Sequence, residues 1–298
     1  MKYTITLLYL SIISITYISC DSNSELADGY GNFEAIETTI SAESNGKLIK
    51  FNVKEGQSLK KGDIVGYIDT IQLALNKEQL IASKDVIYSR SKGVLSQISV
   101  LKSQLKTAQI SKKRTENLIA ANAGTQKQLD DINGKIDMIN QQIISVETQN
   151  APIVNELKSI DVQLKQIEDQ IQKSIIKNPV NGTVLVKYAE PNEITSFGKP
   201  LFKIADLNTM QLRVYVSETQ LSAIKIGQEV TVRIDAEEDM KNYTGIISWI
   251  SSEAEFTPKI IQTKEERVNL VYAAKIDVKN DGSLKIGMPG EMWLDYWQ

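Results

Sequence analysis

Apolar residues recur along this chain with two different periods, and each marks a different kind of element. Between residues 35 and 70, and again from 174 to 205, short runs alternate around turn glycines, as in Leu48, Ile49, Phe51 and Val53 followed by Val65, Tyr67 and Ile68. Alternation at period two predicts half-buried β-strands. Sliding the chain against itself by 136 residues lays one stretch on the other: Asn45-Gly46 falls on Asn181-Gly182, Leu48 on Val184, Gly62 on Gly198, Val65 on Leu201 and Ile68 on Ile204. Neither half is large enough to bury a core alone, so the two are expected to close on one another as one small β-sandwich.

Residues 71–173, between the halves, are poor in Gly and Pro and follow a seven-residue period. Ile132, Ile139, Val146, Ile153, Ile160 and Ile167 recur at sevens, and Ile136, Ile143, Leu157, Leu164 and Ile171 fill the companion position, with Asn150 the polar exception. Leu73, Leu80, Ile87, Val94 and Leu101, joined by Ile98 and Leu105, form a second such row, which Lys84, Ser91 and Lys112 interrupt. Sustained heptads predict a coiled coil. The breaker cluster at Ala120–Thr125, with Asn122 and Gly124, predicts that the two arms fold back as an antiparallel α-hairpin with its tip near 120–125. At 1.5 Å per residue each arm reaches about 70 Å. Gly93 and Pro152 stand equally far from the turn, which predicts a kink or short unwinding at that level. Along the shaft, mainly Lys, Gln, Ser and Asp are expected to face water.

Alternation returns from Met210, in Leu212, Val214 and Val216, then Val230, Val232 and Ile234, Ile246 to Ile250, Val271 to Val278 and Met292 to Leu294. Short strands at this density predict a small antiparallel β-barrel over 206–298. The fold class is therefore α+β: a β-sandwich split into two halves (35–70 and 174–205), a coiled-coil hairpin (71–173) inserted in it, and a barrel after it.

Composition narrows the chemistry. The 298 residues carry 34 Lys and Arg against 37 Asp and Glu, a net charge of -3 that offers no basic field for nucleic acid. There is no histidine and one cysteine, which removes the commonest general base and leaves no zinc cluster or internal disulfide. No metal, cofactor or enzymatic activity is expected. The acidic run at Asp235 and Glu237–Asp239 reads as a solvated loop, and Trp249, Trp293 and Trp297 as core or rim residues, with Trp297 alternatively at a membrane-proximal end of the barrel.

At the amino terminus, Lys2 is followed by an apolar run from Ile5 to Ile18, then Ser19 and the single Cys20. This resembles a bacterial lipoprotein signal (1–19), with Tyr17 standing where an aliphatic is usual. The resemblance implies acylation of Cys20, with residues 20–34 as a tether. The alternatives are an ordinary signal peptide with an incidental cysteine, or an uncleaved anchor.

The split lipoyl-like halves, the hairpin, the barrel and the lipoprotein signal together resemble the HlyD family of periplasmic adaptor, or membrane fusion, proteins. Three segments carry the resemblance: Asn45-Gly46 through Gly56-Gln57-Ser58-Leu59 to Gly62-Asp63; Asn178-Pro179 with Asn181-Gly182-Thr183-Val184; and Phe256-Thr257-Pro258-Lys259, Gln262-Thr263, Arg267 and Leu270-Val271-Tyr272. The last is most similar to adaptors of ABC-type exporters. The resemblance implies a protein of the periplasm, lipid-anchored to the inner membrane, that joins an inner-membrane transporter to a TolC-like outer-membrane channel as a homo-oligomer, usually a hexamer. It further implies channel contact through Arg at one position, Leu four residues on and Ser or Thr seven beyond, which are Arg114, Leu118 and Thr125 here. Each also has a structural reading: Arg114 in a solvated basic run with Lys112 and Lys113, Leu118 in the seam, Thr125 as the N-cap of the second arm. Two rivals use the same elements. A lipoyl or biotinyl carrier would need a lysine on a tight turn between the halves, but that junction, after Asp69-Thr70, holds the hairpin. A lipid-anchored coiled-coil adhesin or spacer would explain hairpin and anchor, but not the division of one repeated domain.

Overall fold

The computed structural model describes residues 27–236, 239–256 and 270–294. In chain order its elements are β1 (Gly29–Glu34), β2 (Glu37–Ser41), β3 (Gly46–Phe51), β4 (Ser58–Leu59), β5 (Ile64–Ile68), α1 (Ile71–Ala120), α2 (Gln126–Lys173), β6 (Ile175–Lys177), β7 (Gly182–Lys187), β8 (Ile194–Thr195), β9 (Pro200–Ala205), β10 (Thr209–Ser217), α3 (Glu218–Leu221), β11 (Glu229–Asp235), β12 (Met240–Ile250), β13 (Glu255–Phe256), β14 (Leu270–Lys279) and β15 (Pro289–Trp293). They form two compact units: residues 38–204, and a second unit made of the segments on either side.

In the first unit the internal repeat becomes symmetry. The 136-residue shift carries β3 onto β7, β4 onto β8 and β5 onto β9, and it turns the sheet β2-β9-β7-β4 into the other sheet, β6-β5-β3-β8. Each sheet thus draws strands from both halves, so neither half can fold without the other. Leu48, Phe51, Ile68, Leu201, Phe202 and Ile204 lie in the shared core, where the Phe51 and Phe202 rings sit 6.1 Å apart. The repeated Asn-Gly pairs stitch the halves across the symmetry: Asn45 Oδ1 accepts the Phe197 N–H at 2.7 Å, and Asn181 Oδ1 accepts the Lys61 N–H at 2.8 Å. Gly56 has φ 79° and its repeat equivalent Asn192 has φ 74°, the same left-handed turn filled once by Gly and once by the side chain that best tolerates it.

Asp69 starts the insertion by accepting the Ile71 N–H on its Oδ1 at 2.8 Å, after which α1 runs for 50 residues and α2 returns for 48. The seam holds two separate apolar clusters. A base cluster joins Ile87, Ile153 and Ile160 to Leu80, Val94, Leu157 and Leu164; a tip-side cluster joins Ala108, Ile139 and Ile143 to Leu101, Leu105 and Ile136. Three of the interruptions in the heptads, Lys84, Ser91 and Asn150, find partners on the other arm. Lys84 meets Asp161 at 2.7 Å, and Ser91 Oγ donates to Asn150 Oδ1 at 3.0 Å. Lys77–Glu168 at 2.9 Å and Lys102–Glu147 at 3.5 Å bridge the arms at other levels.

Two expectations for the shaft meet the structure only in part. The short unwinding does not occur: both arms are continuous α-helix through Gly93 and Pro152, because packing on either side holds a helix that proline alone would disfavour by about 3 kcal/mol. The outer face of the shaft is also less polar than expected. Leu75, Val86 and Val100 are all more than half exposed, and with the open Gly93 they follow one another at eleven, seven and seven residues, one face of α1. On α2, Ile144 and Val162 repeat the pattern five turns apart.

The second unit is a barrel of six antiparallel strands in the order β10-β1-β15-β11-β12-β14, closed by pairing of β14 with β10 and extended by β13 at the β14 edge. Alternate residues point inward, among them Leu212, Val214, Val232, Ile276, Val278 and Met292, all fully buried. The segment expected to be a tether as far as residue 34 supplies a wall of this barrel: β1 pairs with β10 and β15 and buries Phe33 completely. Its glycines disguise it. A Cβ on Gly31 would lie 1.8 Å from the Arg213 carbonyl oxygen, so this close strand crossing excludes any larger residue. Among the described residues no helix is long and apolar enough to cross a membrane.

Candidate functional site

The hairpin tip presents exposed side chains on a short, hydrogen-bonded turn. α1 ends in a Schellman arrangement: Asn122 takes φ 55°, its N–H donates to the Ile119 carbonyl at 2.9 Å, and the Ala123 N–H donates to the Leu118 carbonyl at 2.8 Å. These bonds occupy carbonyls that a helix end leaves unpaired. Gly124 then passes close to the end of α1, where a Cβ would stand 3.1 Å from Ile119 Cγ1. Thr125 opens α2 through a reciprocal capping box: its Oγ1 accepts the Gln128 N–H at 3.4 Å, and Gln128 Oε1 accepts the Thr125 N–H at 3.0 Å. The turn is therefore short and held by backbone and side-chain hydrogen bonds at both helix ends.

On that frame Arg114 and Leu118 lie one turn apart in the last part of α1, both solvent-exposed, with Leu118 49% accessible. Leu118 is thus not a seam residue. Thr125 is exposed and is the N-cap, as one of its two readings required. Gln128 was not singled out in the sequence, although the Thr-x-x-Gln spacing of a capping box was there to read. Chemically, the tip offers a planar guanidinium, an uncovered aliphatic knob and a hydroxyl.

Cys20 lies outside the described residues, as do Thr257 to Arg267 of the third resemblance segment, Glu237, Glu238 and Trp297. Among the described residues no cluster of His, Cys, Asp and Glu could hold a metal ion.

A β-sandwich split by a helical hairpin and flanked by a closed six-stranded barrel is the fold of the membrane fusion proteins, the periplasmic adaptors of HlyD type. The solved structure of MacA from Actinobacillus actinomycetemcomitans is similar over 90% of this chain and 78% of its own, with a TM-score of 0.56 at 21% identity. The membrane fusion protein Spr0693 from Streptococcus pneumoniae R6 has a TM-score of 0.56 at 18% identity, over 90% of this chain and 98% of its own. In sequence, the chain is 26% identical over 304 residues to the UPF0194 membrane protein YbhG of Salmonella gallinarum, covering 90% of this chain and 88% of that protein. No protein-family model matches the chain.

Proposed function

We propose that this protein is a non-enzymatic periplasmic adaptor that links an inner-membrane exporter, of ABC type, to a TolC-like outer-membrane channel, as a lipid-anchored ring of identical subunits, six in number. The observation that carries this reading is the placement of the hairpin: it divides one repeated domain at Asp69–Thr70 and carries an exposed, hydrogen-bonded tip about 75 Å away, the length of 50 helical residues. A spacer or adhesin has no use for a turn inserted at that point, and a carrier would need a lysine there.

At the tip, Arg114 would pair with a carboxylate or carbonyl of the channel, and Leu118 would fill an apolar recess. Thr125, whose oxygen already accepts a hydrogen bond from the chain, would donate its hydroxyl hydrogen. Each contact is small, and a ring multiplies it through avidity. The exposed apolar residues spaced along one face of the shaft support self-association, because a neighbouring subunit that covered them would remove that surface from water.

Arg114→Ala and Leu118→Ala are expected to abolish export and cross-linking to the channel while leaving the circular dichroism melt unchanged, since neither side chain is packed in the seam. Thr125→Ser, which keeps the cap, should stay close to wild type. Full export and cross-linking in both alanine variants would remove these residues from the docking surface. The anchor has its own test. Fatty-acid labelling should mark the wild type and not Cys20→Ala, and equal labelling would exclude acylation at that residue.

A further inference from the structure

The two arms carry their weakest features at the same height. Ser91 and Gly93 lie on α1, and the hydrogen-bonded partner of Ser91, Asn150, lies on α2 two residues before Pro152. Ser91 is only 7% exposed, so a hydroxyl and an amide occupy the position where the heptad elsewhere places an aliphatic. This polar pair lies at the tip-side end of the base cluster, next to Val94, and the interval from there to the tip-side cluster, which shares no residue with it, holds the buried Ile98 and Val146. The backbone is weakened there as well. Pro152 has no N–H, so the Thr148 carbonyl lacks its helical partner, and Gly93 has open space around it, so no packing demands a glycine. An apolar pair and an alanine would fit a rigid rod better at each of these positions.

We propose that Ser91, Gly93, Asn150 and Pro152 form a built-in hinge, at which the tip-bearing half of the hairpin bends against the base half while each half remains packed. Both helices keep helical conformation through this level, so the hinge is a site of transient opening and not a standing break. The hydrogen bond between Ser91 and Asn150 fixes the register of the arms when closed, since a polar pair in an apolar seam tolerates no other alignment. Motion here would let the tip follow a partner that changes angle. That use rests on the docking reading above, whereas the hinge itself does not.

Amide hydrogen exchange on the purified full-length protein tests it without any partner. Amides of residues 88–93 and 147–151 should exchange about tenfold faster than those of either flanking cluster, the rate equivalent of about one lost hydrogen bond. Two double variants separate the causes: Gly93→Ala with Pro152→Ala restores the backbone, and Ser91→Leu with Asn150→Leu makes the seam apolar. Loss of the local maximum in either variant supports the hinge. Protection that declines smoothly from base to tip in the wild type, or a maximum unchanged in both variants, overturns it. Because no channel or exporter is present, failure here leaves the adaptor reading standing, and failure of tip docking leaves the hinge standing.

Discussion

Asn45 and Asn181 show how one residue type can do the same work twice. Each sits 136 residues from the other and accepts a backbone N–H from the turn of the opposite half, at 2.7 and 2.8 Å. The turns they hold have diverged: the residue donating to Asn181 is Lys61, and the one donating to Asn45 is Phe197, which is 75% exposed. Backbone geometry is thus fixed by the asparagine, and the donor's side chain is free to vary. Asn45→Ala and Asn181→Ala should each lower stability by about 1 kcal/mol, read from urea midpoints at unchanged slope, because each removes one hydrogen bond to a turn that water can partly re-solvate. A cost confined to one of the two would show that the halves are not equivalent in energy as they are in geometry.

At the scale of the element, the hairpin combines an apolar seam with charges placed across it. Lys77 donates a hydrogen bond to Glu168 and holds its carboxyl below the usual carboxylate range, and Asp161 raises Lys84 above the ordinary lysine value in the same way. A depressed carboxylate stabilises the fold above its unfolded pKa and loses that contribution as pH falls toward its folded value. Glu168→Gln should therefore melt earlier than wild type at neutral pH, and the gap should close on acidification through the carboxylate range; a gap independent of pH would assign the effect to packing. The barrel turn at Asp281 follows the same sign. Its carboxyl lies well below the ordinary range, chiefly because Lys241 donates to it at 2.6 Å, with help from the Ser283 N–H.

For the whole molecule, the exposed rows of the shaft matter most. Leu75, Val86 and Val100 face solvent on one side of α1 over about seven turns, and nothing among the described residues covers them. If neighbouring subunits do, Leu75→Lys with Val86→Lys should lower the oligomeric mass in analytical ultracentrifugation without changing the helical content. Retention of wild-type mass would move the subunit contact elsewhere.

The sequence by itself determined the strands of the sandwich and the two arms, because there the pattern is local: alternation, heptads and a 136-residue repeat are all legible without a partner. It also placed Arg114, Leu118 and Thr125 at the turn, although only the structure showed that Leu118 leaves the seam and that Gln128 completes the cap of Thr125. What tertiary structure alone decided is non-local. Gly29–Glu34 reads as a loop because its glycines are demanded by strands nearly two hundred residues away, and closure of the barrel depends on β14 finding β10. Pro152 reads as a kink or short unwinding, and its segment stays in continuous helix because seam contacts with the other arm outweigh one missing hydrogen bond. Local periodicity fixes which face of an element is apolar; only the assembled chain decides what that face meets.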